Sequence, residues 1–85
     1  MDLTPTEHRL LMCLVRNAGR IVTHRELLEA MSSGNPIKSI HHLRGYIARL
    51  RKKIEIDPVL PRVIMNHYGV GYSFAGKEEA RWFPE

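Results

Sequence analysis

The sequence of 85 residues predicts a small α+β domain in which three helices precede a C-terminal β-hairpin. Three patterns support this prediction. The Thr-x-x-Glu signature of a helix start occurs twice, at Thr4 and at Thr23. A segment at about 39–56 repeats apolar residues at steps of three and four, which is typical of an amphipathic helix. Strand-like residues then flank a glycine-rich turn, as in a hairpin.

The first helix is predicted to begin after Thr4, because Pro5 suits the first helical position and Glu7 can complete a capping box. Its apolar stripe comprises Leu10, Leu11, Leu14 and Val15. Gly19 suits the left-handed turn that ends a helix, and Arg20–Val22 then predict a short strand. The same signature predicts a second helix after Thr23. Leu27, Leu28 and Met31 form the apolar side of that helix.

The third helix is predicted to follow a loop of breaker residues, "SSGNP", at 32–36. Its stripe comprises Ile40, Leu43, Ile47, Leu50 and Ile54. Asp57 precedes Pro58, which disfavours further helix. "RVIMN" (62–66) and "YSF" (72–74) are the predicted hairpin strands, and the tail 76–85 is set apart from the domain at 1–75.

Composition favours a folded domain with a polyanionic partner. The chain is 44% hydrophobic, and 13 Lys and Arg exceed 9 Asp and Glu, giving a net charge of +4. Cys13 is the single cysteine, so no internal disulfide can form, and a buried site is expected for it. We expect a cytoplasmic protein, since no apolar run reaches the roughly 20 residues of a membrane span and the N-terminus does not resemble a signal peptide.

The third helix places a glycine opposite its apolar stripe. Because a helix turns about 100° per residue, Gly45 falls on the outer face. The residues that share or border this face are Lys38, His41, His42, Ala48, Arg49 and Lys52. The segment 38–52 contains no acid. Cations and imidazoles interleaved with small residues suit a helix that enters the major groove of DNA. The alternative from the pattern alone is a solvated face with a tolerated glycine.

The stretches "LTPTEHRLL", "NAGRIVTHRELL", "YIARLRKKIEIDP" and "GVGYSF" resemble the effector domain of the OmpR/PhoB family of bacterial response regulators. The similarity covers nearly the whole chain to Phe74. It is closest to the KdpE branch, through "HHLRGYIARLRKKIEIDPVLPR". The resemblance implies a winged helix-turn-helix that binds double-stranded DNA and regulates transcription as part of a two-component regulatory system. The helix at 39–56 would occupy the major groove. The wing at 63–74 would contact the backbone or the minor groove.

The resemblance also implies functional residues and partners. The DNA-facing positions would be His41, His42, Gly45, Ala48, Arg49 and Lys52 on the third helix, Thr23 and Arg25 at the start of the second, and Asn66, His67 and Tyr68 at the wing tip. The loop 32–38 would be a candidate contact for RNA polymerase. A homodimer is a further candidate partner, since family members bind direct repeats.

Two parts of the family pattern are missing from the sequence as given: the receiver domain and the N-terminal antiparallel sheet. The first helix is therefore expected to expose apolar surface, covered by Trp82 and Phe83 of the tail or by another chain. This expectation supports an alternative function as a protein-interaction module that dimerises through that surface. Salt dependence would discriminate the two functions, because DNA binding weakens steeply as salt rises.

An enzyme is not expected, because no carboxylate pair is distinctive and Cys13 lies in an apolar helix without an evident base. Gly69 and Gly71 form a lone Gly-x-Gly in a hairpin rather than a phosphate loop. No cofactor or metal is expected either. His41 and His42 are adjacent and lack a partner at the i+4 spacing that would point two imidazoles together.

Overall fold

A computed structural model describes residues 2–32 and 39–75 of the chain. Its elements, in chain order, are α1 (Pro5–Arg16), β1 (Ile21–Thr23), α2 (His24–Met31), α3 (Ile40–Ile54), β2 (Ile64–His67) and β3 (Gly71–Phe74). The predicted order of helices and strands is therefore confirmed within these residues. The loop positions 33–38 and the tail with Trp82 and Phe83 lie outside the described residues.

Both predicted capping boxes are present and define where α1 and α2 begin. In α1 the Glu7 backbone N–H donates to Thr4 Oγ1 at 3.2 Å, and the Thr4 N–H donates to Glu7 Oε1 at 2.8 Å. In α2 the Glu26 N–H donates to Thr23 Oγ1 at 3.1 Å, and the Thr23 N–H donates to Glu26 Oε1 at 3.2 Å. Each pair satisfies backbone donors that the first helical turn leaves unpaired.

The described strands form one antiparallel sheet in the order β1-β3-β2. Thr23 of β1 and His67 of β2 both oppose Gly71, on either side of β3. A Cβ atom on Gly71 would lie 1.9 Å from the carbonyl oxygen of Val22, so this position requires glycine for close backbone approach. The sequence predicted β1 as a strand but did not predict that it would pair with the hairpin.

The core lies between the three described helices and the inner face of the sheet. Its fully buried members from α3 are Leu43, Ile47 and Leu50, which confirms the predicted stripe at its centre. At the ends of the stripe, Ile54 is half-buried and Ile40 is 42% exposed. The sheet contributes Val22, Ile64, Tyr72 and Phe74.

The first helix does not expose the apolar surface expected of it. Its large apolar side chains Leu10, Leu11, Met12, Leu14 and Val15 are all at most 8% exposed. The reason is geometric: α1 packs against α2, α3 and β3 together, so several sides of the helix are covered. This burial leaves no exposed large apolar side chain on α1 to support dimerisation through this helix, and the predicted cover by Trp82 and Phe83 lies outside the described residues.

Smaller corrections concern element bounds and burial. The strand β1 spans Ile21–Thr23 rather than 20–22, and α3 ends at Ile54 rather than 56. Cys13 is half-buried rather than buried. Within the described residues, no helix has both the length and the apolar character needed to span a bilayer.

Candidate nucleic-acid interface

The outer face of α3 is open and carries the predicted pattern of cations and small residues. All six predicted positions on this helix are exposed: His41, His42, Gly45, Ala48, Arg49 and Lys52. A Cβ atom added to Gly45 would meet nothing within 4 Å, so this glycine leaves no gap in the core. We call these six residues the α3 outer face. Arg44, which was not among the predicted positions, is exposed on its border.

Arg49 has a defined neighbour on this face. Its guanidinium carbon lies 5.0 Å from the centroid of the Tyr46 ring, within range of a cation–π interaction. Tyr46 is half-buried and packs against the core. Its ring therefore supports the Arg49 side chain at the surface while leaving the guanidinium N–H groups accessible to a ligand.

Lys53, next to the outer face in sequence, is engaged with α1. Its Nζ donates to Glu7 Oε1 at 2.6 Å, and Glu7 is only 2% exposed. The hydrogen bond from Lys53 and the second one from the Thr4 N–H hold the pKa of the Glu7 carboxyl below its usual value. Charge and hydrogen bonding thus outweigh the opposing effect of burial. Lys53 serves the fold, whereas its neighbour Lys52 faces solvent.

Arg51 and Glu55 form a second set of contacts from the end of α3. Arg51 Nη2 donates to the Ile64 carbonyl oxygen at 2.9 Å, and the Glu55 carboxylate accepts the backbone N–H groups of residues 62, 63 and 64. Sequence reasoning missed both roles. One signal was available: an acid directly after a helix is unfavourable beside the negative end of the helix dipole, so Glu55 needed another partner.

The start of α2 and the turn of the hairpin are brought together. The His24 N–H donates to the Val70 carbonyl oxygen at 3.0 Å, next to the pairing of Thr23 with Gly71. The Thr23 hydroxyl already donates to Glu26 and accepts from it. Arg25 is exposed and forms an ion pair with Glu29 at 3.3 Å, with both side chains largely in solvent. A phosphate at this site would meet Arg25 more readily than Thr23.

The wing tip differs from the predicted one. Asn66 and His67 lie in β2, and the turn comprises residues 68–70. His67 is half-buried, and its Nε2 shares a hydrogen bond of 2.7 Å with Ser73 Oγ. Tyr68 alone of the three predicted residues belongs to the turn, where it is 90% exposed. Gly69 has a φ of 75°, the left-handed conformation that this tight turn requires.

The described residues offer little for catalysis or metal binding. They contain no group of three or more His, Cys, Asp or Glu side chains placed to hold a metal ion. Burial raises the pKa of the Cys13 thiol, which disfavours the nucleophilic thiolate. The arrangement instead suits the binding of an anion along an exposed helix.

Comparison with known proteins gives consistent matches. A family model described as "Transcriptional regulatory protein, C terminal" matches residues 1–74. The KDP operon transcriptional regulatory protein KdpE of Escherichia coli (strain K12) is 44% identical over 74 residues, which are 87% of this chain and 33% of that protein. Regulatory protein VanRc of Enterococcus gallinarum is 34% identical over 70 residues, which are 82% of this chain and 30% of that protein.

A solved structure is also similar. The response regulator DrrB of Thermotoga maritima, described as an OmpR/PhoB homolog, superposes with a TM-score of 0.77 and is 41% identical. The match covers 88% of this chain and 34% of that one. The chain therefore spans about a third of the length of these relatives. By name they are a transcriptional regulatory protein, a regulatory protein and a response regulator, and none of the three is named as an enzyme.

Proposed function

The chain belongs to the family of transcriptional regulatory protein C-terminal domains, the effector domains of OmpR/PhoB regulators, and on that premise we propose that it binds double-stranded DNA in a sequence-specific way. The fold is a winged helix, with three helices and a three-stranded antiparallel sheet among the described residues. In this proposal α3 is the recognition helix and the hairpin β2–β3 is the wing.

The observation that carries the proposal is the α3 outer face. It combines Arg49 and Lys52 with an open surface at Gly45, while the opposite side of the same helix is buried in the core. A helix in the major groove needs cations for phosphates and base edges and small residues where its backbone lies nearest the base pairs. Imidazoles at His41 and His42 add hydrogen-bonding groups near the start of the helix.

We assign different roles to the two cations of this face. Arg49, supported on the Tyr46 ring, can donate two hydrogen bonds to guanine N7 and O6. Lys52 lies nearly one turn closer to the end of α3 and is assigned to a phosphate. Arg25 and Tyr68, at the adjoining start of α2 and wing turn, would contact the DNA backbone, while Thr23, Asn66 and His67 would support them.

The finer parts of the proposal follow from the relatives. The identity of 44% to a KdpE protein supports a KdpE-like effector of a two-component system. By the same family resemblance, we propose the loop 32–38 as a contact for RNA polymerase and a homodimer on repeated half-sites. The separate test of the homodimer is the number of chains bound per selected duplex.

Selection of binding sites from random duplexes, at two salt concentrations, tests the function directly. We expect a preferred sequence and an affinity that falls steeply with salt. Arg49→Ala should cost roughly 1–3 kcal/mol at one preferred base pair and relax the preference there. The matched variant Lys52→Ala should weaken all duplexes about equally. Recovery of no preferred sequence at either salt concentration would contradict the proposal.

A further inference from the structure

The backbone of Ile64, the first residue of the wing, is held at both of its polar groups by the end of α3. Arg51 Nη2 donates to the Ile64 carbonyl oxygen at 2.9 Å, and Glu55 Oε2 accepts the Ile64 N–H at 2.8 Å. Arg51 and Glu55 are four residues apart, so they lie one above the other on the helix and its cap. We call this pair and its bonds to Ile64 the brace.

The segment between α3 and the wing depends on polar contacts for its shape. Three of its apolar side chains, Ile56, Val59 and Leu60, are 70% exposed or more and do not anchor it to the core. Val63, next to the wing, is half-buried and packs against the core. The Glu55 carboxylate instead accepts the N–H groups of Arg62 and Val63, at 2.8 Å and 3.1 Å, as well as that of Ile64. Apolar packing is non-directional, whereas hydrogen bonds fix register and angle.

The contacts of Arg51 are favourable for stability only in part. Among the described residues, its buried Nε atom has no hydrogen-bond partner, which is unfavourable. An apolar residue of similar volume would remove this unfavourable burial, although it would also leave the carbonyl oxygen of the buried Ile64 without the Arg51 donor. Its guanidinium also lies 5.8 Å from the Tyr72 ring centroid, so an apolar side chain would still have a surface to pack on.

We propose that Arg51 and Glu55 are positioning residues that fix the wing relative to the α3 outer face through the backbone of Ile64. The consequence for binding rests on the proposed DNA-binding function. The wing tip at Tyr68 and the outer face would then engage one duplex as a single rigid surface. Without the brace the wing would still form, but its position along α3 would vary.

The first test needs no DNA. Spin labels at Ala48→Cys and Tyr68→Cys, in a Cys13→Ser background, report the distance between α3 and the wing tip. We expect a narrow distribution in this parent and a broadened or shifted one with Arg51→Met. The matched control is Arg44→Met, an exposed arginine of the same helix, which should leave the distribution unchanged. Thermal melts establish that each variant is folded. An unchanged distribution in Arg51→Met would overturn the brace.

The second test measures coupling in DNA binding, with the unlabelled protein and a selected duplex. Tyr68→Ala is introduced into the parent, Arg51→Met and Arg44→Met backgrounds. If the brace positions the wing, the loss caused by Tyr68→Ala should be about fivefold smaller in Arg51→Met than in the parent, and unchanged in Arg44→Met. If Arg51 only stabilised the fold, Tyr68→Ala would cause the same loss of DNA affinity in Arg51→Met as in the parent. That result would overturn the proposal. If the parent binds no duplex, the proposed function is wrong. The distance measurement then still tests whether the brace fixes the position of the wing.

Discussion

The two sides of α3 carry similar charges and use them differently. On the outer side, Arg49 and Lys52 are exposed next to the open surface at Gly45. On the inner side and at the end of the helix, Lys53 bonds to the buried carboxylate of Glu7, and Arg51 bonds to the Ile64 carbonyl oxygen. The inner cations hold α1 and β2 against the helix, whereas the outer ones face solvent.

This difference shows that charge alone does not identify the residues of a binding surface. The last turn of α3 contains three consecutive basic residues, Arg51, Lys52 and Lys53. Arg51 and Lys53 hold other elements of the described fold, whereas Lys52 between them is exposed. A helix turns about 100° per residue, so neighbours in sequence point in different directions. The predictions that follow test whether inner residues determine stability and outer residues determine DNA affinity.

The largest effect is expected at Glu55, on the inner side. Glu55→Ala removes the acceptor of three backbone N–H groups, including the buried one of Ile64, and should lower the free energy of unfolding by about 3 kcal/mol. Chemical denaturation measures this change. The matched control Glu29→Ala, at an exposed ion pair, should change it by less than about 0.5 kcal/mol. Similar losses in both variants would contradict the assignment of Glu55 to the inner side.

The neighbours Lys52 and Lys53 give a direct exchange test. Lys53→Met leaves the buried Glu7 carboxylate without its cation and should cost about 2 kcal/mol of stability, less than a fully buried pair because Lys53 is 36% exposed. Lys52→Met should leave stability nearly unchanged. It should weaken binding to all duplexes and lower the salt slope by about one unit. Chemical denaturation measures the stability of both variants, and titration with DNA at several salt concentrations measures their affinity. If Lys52→Met and Lys53→Met lost the same stability and the same affinity, the distinction between the outer and inner sides of α3 would be contradicted.

The sequence predicted the fold well because its signals are local. Capping boxes at Thr4 and Thr23, the stripe of α3 and the turn at Gly69 each depend on residues close together in the chain. The open position of Gly45 followed from helical geometry alone. The exposure of the α3 outer face was predictable for the same reason, although its contact with DNA stays a prediction.

The contacts that hold the surface in place were not predictable in the same way. Glu7 was identified as a capping residue, but its bond to Lys53 joins residues 46 positions apart. The acceptance of three N–H groups by Glu55 depends on the path of the following turn. His67 was expected at the wing tip because the turn could not be placed to within one or two residues. Long-range partners require the tertiary arrangement, which periodicity does not contain.

A smaller effect, of opposite sign in two assays, is expected at Gly45 on the outer side. Gly45→Leu should raise the free energy of unfolding by about 1 kcal/mol, since helix propensity improves and the Cβ position is open. It should also weaken DNA binding, because the added side chain holds the backbone away from the base pairs. Melts and binding titrations measure the two changes. A more stable variant with unchanged affinity would show that Gly45 faces no ligand.

The smallest effect is expected in the pH dependence of stability, through Glu7 on the inner side. Its pKa is lowered in the folded state, first by the hydrogen bond from Lys53 and then by the Thr4 N–H. The ionised carboxylate is therefore bound more favourably in the folded chain. This contribution is fully present above the unfolded pKa of about 4.3 and is lost as pH falls through the lower folded pKa.

The test is the free energy of unfolding between pH 6 and pH 3, measured for the parent and for Glu7→Gln. Glutamine can still accept hydrogen bonds from Thr4 and Lys53, but it does not titrate. The stability advantage of the parent should therefore be constant near pH 6 and shrink below about pH 4.3.

Glu26, in the exposed capping box of α2, also has a lowered pKa, first through its bond from Arg20. Because salt screens exposed charges, the pH-dependent part of a Glu26→Gln difference should fade as salt is added, whereas that of Glu7→Gln should persist. If the parent remained more stable than Glu7→Gln by the same free energy down to pH 3, the ionised Glu7–Lys53 pair would not be the source of this stability on the inner side of α3.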